Sequence, residues 1–185
     1  MRNMLAIMAM LAAGPALADP LSGKAAKKLI FPVKGVEVEI LADSGLAADQ
    51  QQVLAIVAEG QSYFGAIAIS PDEGLMSEAT VAAANHHDTD AAAKAALAEC
   101  NAKKTGRADC TVVALIRPKG WQPRELQMSL AATVGFRAEY KAKGSALALS
   151  PATGAWGIAT GDGAAEAALA TCSADADDCA LAILD

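Results

Sequence analysis

Large side chains are scarce in this 185-residue chain: two tryptophans, two tyrosines and three phenylalanines make aromatics only 4% of it. A core must therefore be built from Ala, Leu, Ile and Val at close approach, and about a quarter of the residues are alanine. Positive charge is also short, with 15 Lys and Arg against 21 Asp and Glu, a net charge of −6. A nucleic-acid binder would need a basic patch to displace counterions from phosphate, so that class is excluded. Only two histidines occur, side by side at 86 and 87. Apolar content is not lacking: at 54% hydrophobic residues the chain collapses rather than staying disordered. Its length suits one domain or two small ones.

The first 18 residues have the three parts of a secretory leader. Arg2 supplies the positive start, Met4 to Ala13 the apolar run, and Ala16-Leu17-Ala18 the small-x-small cleavage site. Cleavage would fall between Ala18 and Asp19. The apolar run is shorter than the roughly 20 residues that span a bilayer. No cysteine follows the cut to take a lipid, and no later stretch could cross a membrane. The expected product is acidic and exported to a periplasm or secreted, with no membrane anchor.

Four cysteines, Cys100, Cys110, Cys172 and Cys179, all lie in that exported part. An even count in an oxidising compartment reads first as two disulfides, in one of three connectivities. Zinc is the competitor, but no CxxC spacing is present.

The chain repeats itself. Phe64-Gly-Ala-Ile-Ala-Ile-Ser-Pro-Asp-Glu-Gly74 matches Gly144-Ser-Ala-Leu-Ala-Leu-Ser-Pro-Ala-Thr-Gly154 at an offset of 80. Ala92–Cys100 then matches Ala164–Cys172, and Cys110–Ile116 matches Cys179–Asp185, in the same order. Each copy reads as a short apolar strand, a Ser-Pro-x-x-Gly reversal, a second strand, an Ala-rich helix and a last strand. The second strands are expected at Leu75–Val81 and Ala155–Thr160. The helices are expected at Ala91–Lys103, capped from Asp88-Thr89-Asp90, and at Gly163–Ser173, capped by Asp162. The last strands are Thr111–Ile116 and Ala180–Leu184. Upstream of each copy a helix is predicted, Leu46–Gln61 and Leu126–Lys141, although the second alternates polar and apolar residues like a strand. Gly35–Leu41 reads as an edge strand.

The predicted fold is α+β: two tandem (α)ββαβ repeats, with Ala-rich helices on mainly antiparallel sheet. Its divisions are a leader (1–18), an N-terminal arm and edge strand (19–45), a first repeat (46–117), a linker (118–125) and a second repeat (126–185). The repeat selects Cys100–Cys110 and Cys172–Cys179 as the pairing, each closing a short loop between a helix end and the next strand. Loops of that size contribute roughly 2–3 kcal/mol each when unstrained.

A strand ending in Ala148-Leu-Ser150-Pro151, then Gly154, Trp156-Gly157, the helix Ala164–Leu169, Cys172 and Asp178-Cys179, resembles a secreted bacterial family, domain of unknown function 4189. The first copy keeps Ala68, Ser70, Pro71, Gly74, Cys100, Asp109 and Cys110, with Met76 read as standing where the second has Trp156. The resemblance implies an exported disulfide-bonded domain, present in two copies, and brings no known chemistry.

Candidate sites are few. His86-His87-Asp88 with Asp90 is the one cluster of metal-capable side chains, and is read as an exposed loop leading into a helix cap. Gly161-Asp162-Gly163 lacks the Lys-Ser/Thr of a phosphate loop and is read as a turn. Ser70 and Ser150 precede prolines, with no histidine beside the second, so a serine nucleophile is not expected. Lys24, Lys27, Lys28 and Lys34 are read as a solvated basic arm, and Trp121 and Trp156 as core or corner packing. No catalytic, cofactor or metal residue is assigned. The expected role is a non-catalytic module binding an unknown protein or small molecule, with an enzyme of unrecognised class as the alternative. A pyridoxal-phosphate enzyme such as 5-aminolevulinate synthase would need a Schiff-base lysine, an acid for the pyridinium nitrogen and a phosphate cup, and the residues supply no such set.

Overall fold

The structure is a computed structural model describing residues 19–185; the leader predicted over 1–18 lies outside the described residues. The element order is α1 (Gly23–Leu29), β1 (Val36–Ile40), α2 (Ala48–Glu59), β2 (Gly65–Ile69), β3 (Val81–Ala83), α3 (Thr89–Lys103), β4 (Thr111–Pro118), α4 (Leu130–Glu139), β5 (Ser145–Leu149), β6 (Trp156–Thr160), α5 (Ala164–Cys172) and β7 (Ala180–Leu184). It is an α+β fold with two sheets, ordered β1-β4-β2-β3 and β6-β5-β7. All strand pairs within them are antiparallel. Thus β4-β2-β3 of the first sheet follows the same path as β7-β5-β6 of the second. Each central strand pairs with the last strand of its unit through a register shift, at Ile67/Ala68 and at Leu147/Ala148.

The alternation of small and large residues explains the layering. β2 reads Gly-Ala-Ile-Ala-Ile and is buried on both faces. Ala66 and Ala68 pack against Ala92, Ala96 and Cys100 of α3, while Ile67 and Ile69 pack against Leu54 and Ala58 of α2. β5 repeats the arrangement, with Ala146 and Ala148 under Ala164, Ala168 and Cys172 of α5. Its Leu147 and Leu149 meet Ala132 and Phe136 of α4 and Ala26 of α1. Period-two alternation sends successive side chains to opposite faces, so one helix approaches closely over methyl groups while the other rests on branched side chains. Disulfides join Cys100 to Cys110 and Cys172 to Cys179, with Cα separations of 6.1 and 6.0 Å. Each ties a helix end to the following strand.

The arm is docked rather than loose. Its lysines at 24, 27, 28 and 34 are exposed, but Ala26 and Phe31 are buried. Leu21 forms a parallel bridge with Ile183 of β7, its N–H donating to Ala182 O at 2.9 Å and its carbonyl accepting from Leu184 N–H at 2.9 Å. Gly23 N–H donates to Asp185 Oδ2 at 3.1 Å. β1 lies at the edge of the first sheet, as its alternating pattern predicts.

Several expectations are corrected. The second strand of the first unit is not Leu75–Val81 but the three residues Val81–Ala83. Residues 75–80 form turns, closed by Thr80 Oγ1 donating to Leu75 O at 2.7 Å. Ala68 pairs with Val81 and Ala148 with Gly157, so Trp156 corresponds to Thr80 and not to Met76. Asp162 does not cap α5; Gly163 holds that position at φ 74° with no side-chain cap. The stretch Leu126–Lys141 is helical only over Leu130–Glu139, begun by Ser129, whose Oγ accepts Ala132 N–H at 3.1 Å. The 118–125 linker loses its first residue, since Pro118 ends β4.

Candidate functional site

Polar side chains converge where the two units meet, on the loop that joins β3 to α3. An α-helix leaves its first N–H groups without intrahelical partners, and those at the start of α4 are met largely by the first unit. Ser129 N–H donates to His87 Nδ1 at 2.8 Å, Leu130 N–H to Tyr63 O at 3.2 Å and Ala131 N–H to Asn85 Oδ1 at 2.9 Å. Asn85 sits at φ 64°, in the left-handed region that asparagine tolerates better than most residues. Its carbonyl lies so close to Gly154 that a Cβ there would be inside the 3.0 Å limit of real contacts.

His87 is 4% exposed, which corrects the expectation of an exposed loop. Because Nδ1 accepts from Ser129, the ring proton resides on Nε2, which donates to Ala155 O at 2.9 Å. Both nitrogens are thus engaged between the units. Burial is the main cause that holds the imidazole below its ordinary pKa of 6.5, opposed by the acceptor at Ala155. His86 is half-buried and lowered by burial as well. Below pH 6.5 the unfolded chain binds the proton that the folded His87 refuses, so stability is full above that pH and falls as the pH drops through it. The expected result is a lower Tm at about pH 5 than at about pH 7.5, with a smaller difference in His87→Gln, read by circular dichroism. A parent Tm that does not change across that range would refute the assignment.

Several other sequence candidates have structural partners. Asp88 Oδ1 accepts Ala91 N–H at 2.7 Å and caps α3. Ser70 Oγ donates to Glu73 Oε1 at 3.0 Å, and that oxygen also accepts Thr105 N–H at 2.8 Å and Gly106 N–H at 2.9 Å. Asp72 Oδ2 accepts Arg107 N–H at 2.7 Å and Ala108 N–H at 2.8 Å. Backbone donors, Ala108 first for Asp72 and Gly106 first for Glu73, hold both carboxyls below the usual range. In the second unit the acid comes from the opposite loop: Ser150 Oγ donates to Asp178, whose Oδ2 accepts Ala152 N–H at 2.8 Å. That hydroxyl lowers the Asp178 pKa most. Although His87 lies near enough to Asp178 to feel its charge, Ser150 donates to the acid and not to the imidazole, so no nucleophile–base pair forms.

Beside His87 a cleft of about 290 Å³ opens, lined by the apolar Leu126, Leu149 and Leu181 and by the charged Asp88, Arg124 and Glu125. Arg124 also stacks on Phe31 with 3.8 Å from its guanidinium carbon to the ring centroid, and donates to Leu29 O at 2.6 Å. Trp121, under the Arg117 guanidinium, donates from Nε1 to Gln127 Oε1 at 2.7 Å. Trp156 packs over α4, its ring lying where a Cβ on Gly135 would be. Gly161-Asp162-Gly163 forms an exposed turn. Among the described residues no group of three or more His, Cys, Asp or Glu side chains is placed to hold a metal ion, and no cysteine is free. The residues missed in the sequence are Asn85, Ser129 and Arg124. Asn85, between alanines and histidines just before a helix cap, was the one with a local signal.

The family described as a domain of unknown function (DUF4189) matches residues 64–122. That stretch covers β2, β3, α3 and β4, which is the ββαβ core of the first unit. The match therefore falls on the first unit alone, and not on the second, where more of the quoted motif residues lie. No curated protein and no solved structure matches the chain. Among the described residues no helix is long and apolar enough to cross a membrane.

Proposed function

We propose that the protein is an exported, non-catalytic interaction module, made of two related disulfide-stapled ββαβ units whose junction is a rigid frame rather than a reaction centre. One observation carries this reading. Four side chains with acid–base or nucleophilic chemistry at the junction, His87, Ser129, Ser150 and Asp178, are engaged in bonds that hold the units or their loops, and the neighbouring His86 has its Nδ1 buried without a partner. A general base must reach a substrate proton, and His87 has no nitrogen left to do so. The shared strand path and the matching register shifts support a duplication. Two bridges in small-core units support an oxidising compartment. Expression of the full chain in a host with a periplasm should give an osmotic-shock fraction whose intact mass begins at Asp19 with both bridges formed. A retained N-terminus, or cytosolic reduced protein, would overturn the export half of the reading. Turnover abolished by a His87 substitution that leaves the fold intact would overturn the other half.

A further inference from the structure

Four of the six exposed large apolar side chains among the described residues gather on one side of the first unit: Val53 at 50%, Ile56 at 72%, Val57 at 51% and Met76 at 90%. Val53, Val57 and Met76 line a groove of about 230 Å³ between α2 and the strands, together with Leu75 and Thr80. Thr80 Oγ1 is already donated to Leu75 O, so the groove offers no free hydroxyl proton and has an almost wholly apolar wall. The second unit shows the same place filled. There Trp156, at the sheet position that Thr80 occupies in the first unit, lays its indole on α4 at Gly135 and packs onto the core that holds Phe136 and Leu147. In the first unit a small β-branched residue stands at that position, and the helix side carries valines instead of a glycine.

We propose that this groove is a docking slot for an aromatic side chain, tryptophan first, presented by another polypeptide. The proposal rests on reading the chain as an interaction module, and it names the chemistry of the partner's anchor. The molecule itself supplies the template, because its other copy of the slot takes an indole. A second copy of this chain is not the donor. Phe31, Tyr63, Phe64, Phe136 and Tyr140 are buried, and Trp121 and Trp156 are half-buried against Arg117 and Gly135. Aromatic anchors dominate interfaces because a rigid side chain buries a large area with little entropy loss. Met76, unbranched and almost fully exposed, can fold over such a ring.

The test is methyl NMR of the purified, disulfide-bonded protein titrated with N-acetyl-L-tryptophanamide, with N-acetyl-L-alaninamide as control. The expected result is saturable shifts at Val53, Val57, Leu75 and Met76, with a Kd of about 1 mM, as a single buried fragment gives. Thr80→Trp, which fills the slot from within, should weaken binding more than tenfold. Val53→Arg, on an exposed position, should do the same if Thr80→Trp fails to fold. Absence of saturation, equal shifts with the alanine probe, or unchanged affinity in the folded variants would overturn the slot. Shifts confined to Leu126 and Leu181 would overturn it too, while leaving the interaction-module reading intact. Concentration-dependent dimerisation abolished by Ile56→Lys would assign the face to a second copy and likewise overturn the proposal. Processing at Ala18 is read separately by mass, so its outcome does not bear on the slot.

Discussion

Gly157→Ala should cost about 3 kcal/mol, near the top of the range for overpacking a closed interface. Gly157 lies buried in β6 where α5 crosses it, and an added Cβ would meet Ala168 O inside the 3.0 Å limit and Cys172 N at 2.7 Å. Those atoms are helix backbone, so no rotamer change can relieve the clash. Nor can the helix slide freely, because its last residue, Cys172, is bridged to Cys179. The expected fall in Tm is about 6–12 °C for a chain of this size. Gly60→Ala is the matched control: it lies at the end of α2 at φ −79°, and its nearest new neighbour is Val57 O at an ordinary 3.5 Å. A Gly157→Ala protein that melts with the parent would mean that α5 and β6 are packed more loosely than described.

His87→Ala should cost more, about 3–5 kcal/mol. The substitution leaves Ser129 N–H without a partner in the interior, a penalty of about 1–3 kcal/mol, and opens a cavity where the ring stood, while Ala155 O keeps the Ser150 N–H at 3.0 Å. Against a net stability of about 5–15 kcal/mol this removes a large share of the margin. Because one of the lost bonds holds the first N–H before α4 to the other unit, beside those from Leu130 to Tyr63 and Ala131 to Asn85, the damage should extend to the start of α4. Urea unfolding followed by amide hydrogen exchange is the check. Exchange at Ser129 and Ala132 should accelerate well before that of β2, and a variant with the parent's midpoint and an equally protected α4 would sink the idea.

What could be read in advance, and what could not, divides by distance along the chain. The Ala-Ile-Ala-Ile and Ala-Leu-Ala-Leu strands were legible because a strand's period is local, and the helices because alanine favours them wherever it clusters. The cysteine pairing followed from the repeat. Leu126–Lys141 is ambiguous for a physical reason: Leu126 and Met128 are buried in a non-helical lead-in, so strand-like spacing runs straight into a helix. The start of β3 was missed because residues 75–80 close a local turn, with Thr80 bonded back to Leu75, where the apolar pattern read strand. Asp162 was the favoured cap type in nearly the right place, but a left-handed glycine took the position. The status of His87 lay beyond any local pattern, since its partners are 42 and 68 residues away.

The bridge from Leu21 to β7 has a consequence for the order in which the chain can fold. The groups it joins at Gly23 and Asp185 are 162 residues apart, about as far as the described chain allows. Closing a contact of that span is slow, and the arm cannot seat until β7 itself has been made. Throughout synthesis, residues 19–31 therefore have nowhere to dock. The outer edge of β7 stays open for the same interval, which is the period in which an unpaired strand can capture a neighbouring chain. A burst of concentrated nascent protein should aggregate through this edge, and deleting 19–31 should prolong that vulnerability into the folded state.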